Sequence, residues 1–152
     1  MSTSPFTLSG RTALITGATR GLGFAIAHGM AEAGAKVILN GRKPDELAAS
    51  ARRLQEAGFA ADVAAFDVTD RDAVHAGVAA IAAKHGAIDI LVNNAGIQRR
   101  APFVEFKQDD WDAVIATNLT APFVVSQAVL PGMIARRSGK IIHIASLMSD
   151  LA

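Results

Sequence analysis

The stretch with the clearest chemical content is Thr16-Gly17-Ala18-Thr19-Arg20-Gly21-Leu22-Gly23, with glycines spaced G-x-x-x-G-x-G. It follows a short apolar run and opens a helical pattern. Glycines at such a turn let backbone N–H groups approach a pyrophosphate while a helix N-terminus faces its negative charge. The spacing is neither G-x-G-x-x-G nor a P-loop, which would end in Gly-Lys-Ser/Thr. An ordinary strand-to-helix turn also favours small residues, but the position after the first buried strand favours the phosphate reading. Absences narrow the other chemistry. The chain has no cysteine, which removes disulfides, thiolate metal sites and thiol nucleophiles. His28, His75, His85 and His143 fall at no metal-ligand spacing such as H-E-x-x-H, so no metal is expected. Ser146 has no G-x-S-x-G elbow around it and does not read as a nucleophile.

These residues need elements to hold them. Apolar runs at residues 12–16, 36–40, 63–66, 89–92 and 140–145 read as strands. Helical patterns lie between them at 23–33, 44–57, 70–85, 109–118 and 121–137. Gly34, Gly58 and Gly86 close the first three helices, and Pro44 opens the second. Pro131 predicts a kink or the last turns of the fifth. Strands apolar on both faces and separated by helices imply a parallel sheet covered on two sides. The expected class is α/β: a doubly wound, Rossmann-type parallel sheet, with residues 1–152 forming one dinucleotide-binding domain. Such sheets bind ligands beyond the carboxyl ends of their strands. The glycine turn, Asp67, Asn93 to Gly96 and Ser146 all fall there.

The composition suits this class. Of the 152 residues, 51% are hydrophobic and 19% charged, with a net charge of +1. That supports a core and argues against disorder. No basic block suggests a nucleic-acid partner. Met1-Ser2-Thr3-Ser4-Pro5 has no basic region before an apolar stretch, so no signal peptide is expected. No run of about 18 apolar residues predicts a membrane span. The expectation is a cytoplasmic protein acting on a small molecule.

Thr16-Gly17-x-x-x-Gly21-x-Gly23, Asp67-Val68, Asn93-Asn94-Ala95-Gly96, Asn118 and Ser146 together resemble, in order and spacing, the short-chain dehydrogenase/reductase family. The resemblance covers the whole chain. It implies an oxidoreductase interconverting a secondary alcohol and a ketone. By resemblance, Gly17, Thr19, Arg20, Gly21, Leu22 and Gly23 hold the cofactor pyrophosphate, and Asp67 and Val68 meet the adenine edge. Asn94, Ala95 and Gly96 line the cofactor, Asn118 holds a water in a proton relay, and Ser146 hydrogen-bonds the substrate carbonyl or hydroxyl. Plainer readings exist. Asp67, Thr69 or Asp70 would cap a helix, Asn-Asn-Ala-Gly would make a turn, and Asn118 would cap a helix.

NAD-preferring members carry an acid at the end of the second strand, where this chain has Asn40. Arg42 follows it, and Arg20 sits in the glycine turn. Two guanidinium groups suit a ribose 2′-phosphate, so NADP is expected over NAD, although either arginine alone would read as a solvated loop residue. Arg99 and Arg100, just after Asn93 to Gly96, suit a substrate carboxylate or a solvated loop. Residues 39–42, 93–102 and 121–149 look most like the gluconate 5-dehydrogenases of the family, pointing to gluconate and 5-keto-gluconate. A 3-oxoacyl carrier-protein reductase and a non-catalytic dinucleotide-binding module are the alternatives.

The family pattern continues beyond the serine with Tyr-x-x-x-Lys, the general acid/base and the lysine that tunes it. This chain has no tyrosine, and Ala152 is its last residue. The expectation is a domain incomplete at its C-terminus, inactive alone. The complete protein is expected to supply the pair and to form a homo-oligomer, a tetramer or dimer, through helices such as 121–137.

Overall fold

The computed structural model describes residues 6–146. The readings of Met1 to Pro5 and of the chain's end at Ala152 lie outside the described residues.

Five strands, β1 (Thr12–Ile15), β2 (Lys36–Gly41), β3 (Ala61–Ala65), β4 (Ile90–Asn93) and β5 (Lys140–His143), form one sheet in the order β3-β2-β1-β4-β5. Every pair is parallel, with Leu14 opposite Ile38 and Leu91. The order reverses between β1 and β4, which opens a crevice at their carboxyl ends. This is the doubly wound sheet expected from the sequence.

Alternation along the strands builds two cores. Ala13, Ile15, Val37, Leu39, Ile90 and Val92 point to one face, where α1 (Gly21–Glu32) and α2 (Pro44–Glu56) contribute Ala27, Ala31, Leu47 and Leu54. Leu14, Ile38 and Leu91 point to the other, under α3 (Arg71–His85) and α5 (Ala121–Arg136), which add Val74, Val78, Ile81, Val124, Val125 and Val129. The burial of both faces explains why the strands read as continuous apolar runs.

Pro131 lies in the last turns of α5, which ends at Arg136 and closes with Arg137 in the left-handed region at φ 53°, as the 121–137 pattern implied. Two local features differ from the sequence reading. First, α1 begins at Gly21 rather than Gly23. Second, the helical patterns 109–118 and 121–137 are not separate. A π-helical turn, Ala116–Thr120, joins α4 (Gln108–Ile115) to α5, with the Ala121 N–H reaching the Ala116 carbonyl. The resulting run Gln108–Arg136 is long and apolar enough, by length and composition, to cross a membrane, in contrast to the expectation of no span from unbroken apolar runs. In this fold Ala121, Val124, Val125, Val129 and Met133 of that run are buried in the molecule's core.

The far side of the sheet from the crevice carries an acid-dependent joint. Asp62 of β3 pairs with Lys84 Nζ at 2.5 Å and His85 Nε2 at 2.8 Å, both at the end of α3. Partial burial pushes the Asp62 carboxyl up. The Lys84 hydrogen bond, the Val63 N–H, the Lys84 charge and His85 outweigh that and leave it lowered. A lowered folded pKa gives stability that is present above the unfolded value of 3.8 and lost as pH falls through the folded one. Asp62→Asn should therefore cost about 1 kcal/mol at neutral pH. In thermal melts across pH, the gap to the parent should close in strong acid. A gap that persists unchanged at pH 2 would contradict this.

Candidate functional site

The crevice begins with Thr16, 1% exposed at the end of β1. Its hydroxyl accepts the N–H groups of Asn94 and Ala95, both at 3.0 Å, and donates toward the Val92 carbonyl at 3.4 Å. The Asn94 amide returns across the gap, donating to the carbonyls of Thr16 (3.0 Å) and Gly17 (3.1 Å). The carboxyl ends of β1 and β4 are thereby locked together at the point where the strand order reverses.

The glycines fit this clamp. Gly17 has φ +63°, in the region that favours glycine. A Cβ on it would lie 2.9 Å from Ala95 Cα. A Cβ on Gly23 would collide with the Gly17 carbonyl oxygen and the Asn94 amide nitrogen. The turn can pack this closely against Ala95, Asn94 and the start of α1 only because these positions have no side chain. This is a cradle suited to a pyrophosphate.

A cleft of about 490 Å³ runs from this turn over β2 and β3. Its walls include Gly17, Thr19, Arg20, Asn40, Arg42, Asp67, Val68, Ala95 and Gly96, nine of the residues singled out from the sequence. Gly21, Leu22 and Gly23 form the first turn of α1 and Asn94 braces the glycine turn; none of the four is in the cleft wall. Asn40 is not a free polar group at a ribose edge. It is 1% exposed, and its amide donates to the Ala64 carbonyl (3.0 Å) and the Phe66 carbonyl (3.1 Å), tying β2 to the end of β3. Asp67 is not the cap of α3 either. That cap is Asp70, which accepts from the Ala73 N–H at 3.0 Å. Asp67 Oδ1 accepts from the Thr69 N–H and hydroxyl at 2.9 and 2.8 Å, leaving Oδ2 3.9 Å from Arg42 Nη1.

The positive end of the cleft has a third cation that the sequence reading missed. Lys43 stands beside Arg20 and Arg42 in the wall and is bound to Glu46 Oε1 at 2.6 Å. The Lys43 hydrogen bond holds the Glu46 carboxyl below its usual value against slight desolvation, with Arg20 adding to the effect. One turn further along α2, Ser50 Oγ lies 2.7 Å from the Thr19 carbonyl and 3.0 Å from that of Glu46. The signal for Lys43 was its place in the loop after β2, next to Arg42 and before Pro44.

A second hollow of about 590 Å³ adjoins the first, sharing Ile97 and Arg99. Phe103, Phe106, Trp111 and Val114 make it largely apolar, and Asn118 lies at its wall. The Asn118 side chain clamps the backbone of Ile97, accepting its N–H and donating to its carbonyl, both at 2.9 Å. The amide thus fixes the loop after β4, and a water held by Asn118 would need another of its atoms. Arg99 Nε is paired with Asp110 Oδ1 at 3.1 Å. Arg100 lines neither hollow and turns toward Gln98, whose amide oxygen, oriented to it, accepts at 2.8 and 3.0 Å. The structure does not bring the two arginines together on one side of the cleft. Asn93, 4% exposed, donates to Ser126 Oγ at 3.1 Å and lies 3.3 Å from His143 Nδ1, joining β4, β5 and α5. Ser146 lies three residues past β5, at the same carboxyl edge of the sheet.

The sequence pattern of the short chain dehydrogenase family matches residues 11–152. The chain belongs to the short-chain dehydrogenase family. Among its relatives, a gluconate 5-dehydrogenase of Gluconobacter oxydans is 53% identical over 147 residues, 97% of this chain and 57% of the relative. A 5-keto-D-gluconate 5-reductase of Escherichia coli is 44% identical, covering 96% of this chain and 58% of the relative. In three dimensions the chain is similar to a gluconate 5-dehydrogenase from Burkholderia cenocepacia solved with NADP and tartrate. The TM-score is 0.93 and the identity 54%, over 97% of this chain and 58% of that one. This short-chain dehydrogenase chain therefore spans a little under three fifths of the length of these relatives.

Proposed function

We propose that this chain forms the dinucleotide-binding part of an NADP-dependent oxidoreductase that interconverts a secondary alcohol and a ketone on a sugar acid, gluconate and its 5-keto form. The observation that carries this reading is the cleft at the β1/β4 reversal, which brings the glycine turn, Arg20 and Arg42 to one mouth. The tightly packed turn, with no room for a Cβ at Gly17 or Gly23, suits the close backbone approach a pyrophosphate needs. The two arginines suit a 2′-phosphate, and Asp67 and Val68, in the same wall, suit an adenine edge. The solved relative with NADP supports the same choice.

NADPH, when bound, supplies the hydride. The chain's own residues bind and orient. The backbone of Gly17 to Gly21 would hold the pyrophosphate, and Arg20 and Arg42 would neutralise a 2′-phosphate. Asn94 and Thr16 keep the turn open, and Asn118 holds the Ile97 loop over the boundary between the two hollows. Ser146 orients the substrate oxygen by a hydrogen bond. The five strands in one sheet support reading residues 1–152 as one binding unit. Exposed Trp111, Leu119, Phe123, Leu130 and Ile134 along α4, the π-helical turn and α5 support self-association of the protein. Its place is read as the cytoplasm.

Arg42→Ala tests the cofactor choice. Losing a charged hydrogen-bonding partner typically costs about 1.5–3 kcal/mol, so NADPH affinity should fall roughly 10- to 100-fold while NADH is little changed. Equal loss for both cofactors in a fluorescence titration would overturn the assignment. The substrate reading rests on Arg99. Freed from Asp110, it can turn to a carboxylate, and Arg99→Ala should raise the KM for gluconate about tenfold in the active protein. Because Arg100 faces Gln98, Arg100→Ala should change it little. The reverse ranking would move the carboxylate site.

A second reading, a 3-oxoacyl carrier-protein reductase, is favoured by one feature: the apolar hollow of Phe103, Phe106 and Trp111 beside Asn118. Turnover of a 3-oxoacyl thioester in preference to 5-keto-gluconate would decide for it.

A further inference from the structure

The positive end of the cleft is occupied by the protein's own carboxylates. Glu46 is bound to Lys43 at 2.6 Å and feels the Arg20 charge, while Asp67 stands 3.9 Å from Arg42. Arg20, Arg42 and Lys43 thus share one wall, and each has an acidic neighbour. Lys43 precedes α2 and Glu46 lies in its first turn, the helix whose Ser50 reaches the Thr19 carbonyl in the glycine turn. The Lys43 side chain is 72% exposed, so its ammonium can turn from Glu46 to a ligand without disturbing the core.

We propose that Lys43 is a further specificity-determining residue for the 2′-phosphate, and that Glu46 is the internal anion from which the phosphate must draw it. This rests on the NADP reading of the cleft. With no cofactor, Glu46 neutralises Lys43 and lowers the cost of gathering three cations. With a 2′-phosphate present, Lys43 exchanges one carboxylate for a doubly charged group. NADH offers no such group, so Lys43 stays on Glu46. Removing Lys43 therefore weakens NADPH alone. Removing the Glu46 charge frees Lys43 and strengthens NADPH.

The test is titration of the protein with NADPH and NADH, followed by energy transfer from Trp111, the single tryptophan. Lys43→Gln should raise the NADPH Kd roughly three- to tenfold and leave NADH within about twofold. Lys43→Arg should restore the preference. Glu46→Gln should lower the NADPH Kd about threefold, and that gain should vanish in the double variant with Lys43→Gln. An unchanged NADPH-to-NADH ratio in Lys43→Gln, or a weaker NADPH complex in Glu46→Gln, would overturn the proposal. Arg42→Ala separates the two levels. If it is selective for NADPH while Lys43→Gln is not, only the role of Lys43 fails. If Arg42→Ala affects both cofactors alike, the NADP reading fails with it.

Discussion

Gly23→Ala should weaken NADPH binding about 30- to 100-fold, although it adds one methyl group. The new Cβ would meet the Gly17 carbonyl oxygen and the Asn94 amide nitrogen. Neither can yield freely, because Asn94 donates to both Thr16 and Gly17 and thereby holds the turn against β4. Overpacking of this kind typically costs about 1–3 kcal/mol, and here the displaced atoms are those that shape the phosphate cradle. Gly29 is the control. It lies in the same helix, and a Cβ there would meet nothing within 4 Å. Gly29→Ala should leave NADPH affinity unchanged and stabilise the fold by up to about 1 kcal/mol, the usual helix preference for alanine over glycine. Paired titrations and melts read both. Equal NADPH affinity in the two variants would remove the cradle from the account.

The second large effect concerns turnover. The 152 residues contain no tyrosine, and the described site offers Ser146 and Asn118 but no matched acid and base beside them. A positioned general acid or base is worth about 10²–10⁴ in rate. The 152-residue polypeptide should therefore reduce 5-keto-gluconate at least a hundredfold more slowly than its longer relatives under the same conditions, even at saturating NADPH. The measurement is single-turnover oxidation of NADPH, followed by loss of its absorbance, with purified polypeptide. A rate matching that of the relatives would show that another group in this chain moves the proton.

The sheet was legible because its strands are buried on both faces. Val37 to Leu39 and Leu91-Val92 could sit nowhere else, and the glycine turn announced the reversal point beside them. The joints between elements were less legible. The π-helical turn at Ala116–Thr120 carries Asn118, which pairs with the Ile97 backbone, a contact between residues far apart in sequence that no local pattern encodes. Pro131 was legible as a mark of the last turns of α5, where it sits between the buried Val129 and Met133. Asn40 stands where NAD-preferring members carry an acid, but that its amide is spent on the Ala64 and Phe66 carbonyls follows from the register with β3, which no local pattern encodes. Arg99 and Arg100 are adjacent in sequence and part in space, since Asp110 holds one and Gln98 the other. Lys43 was visible beside Arg42, yet its importance follows from α2 turning Glu46 and Ser50 toward the glycine turn.

The central claim is that the cleft between the glycine turn and Arg42 takes an adenine dinucleotide with its 2′-phosphate on Arg20 and Arg42. A crystal structure of the protein with NADPH tests it most directly. The expected result is the pyrophosphate over Gly17 to Gly21, the adenine beside Asp67 and Val68, and the 2′-phosphate within hydrogen-bonding distance of both guanidinium groups. A dinucleotide bound elsewhere, or one in this cleft with its 2′-phosphate turned to solvent and neither arginine in contact, would contradict it.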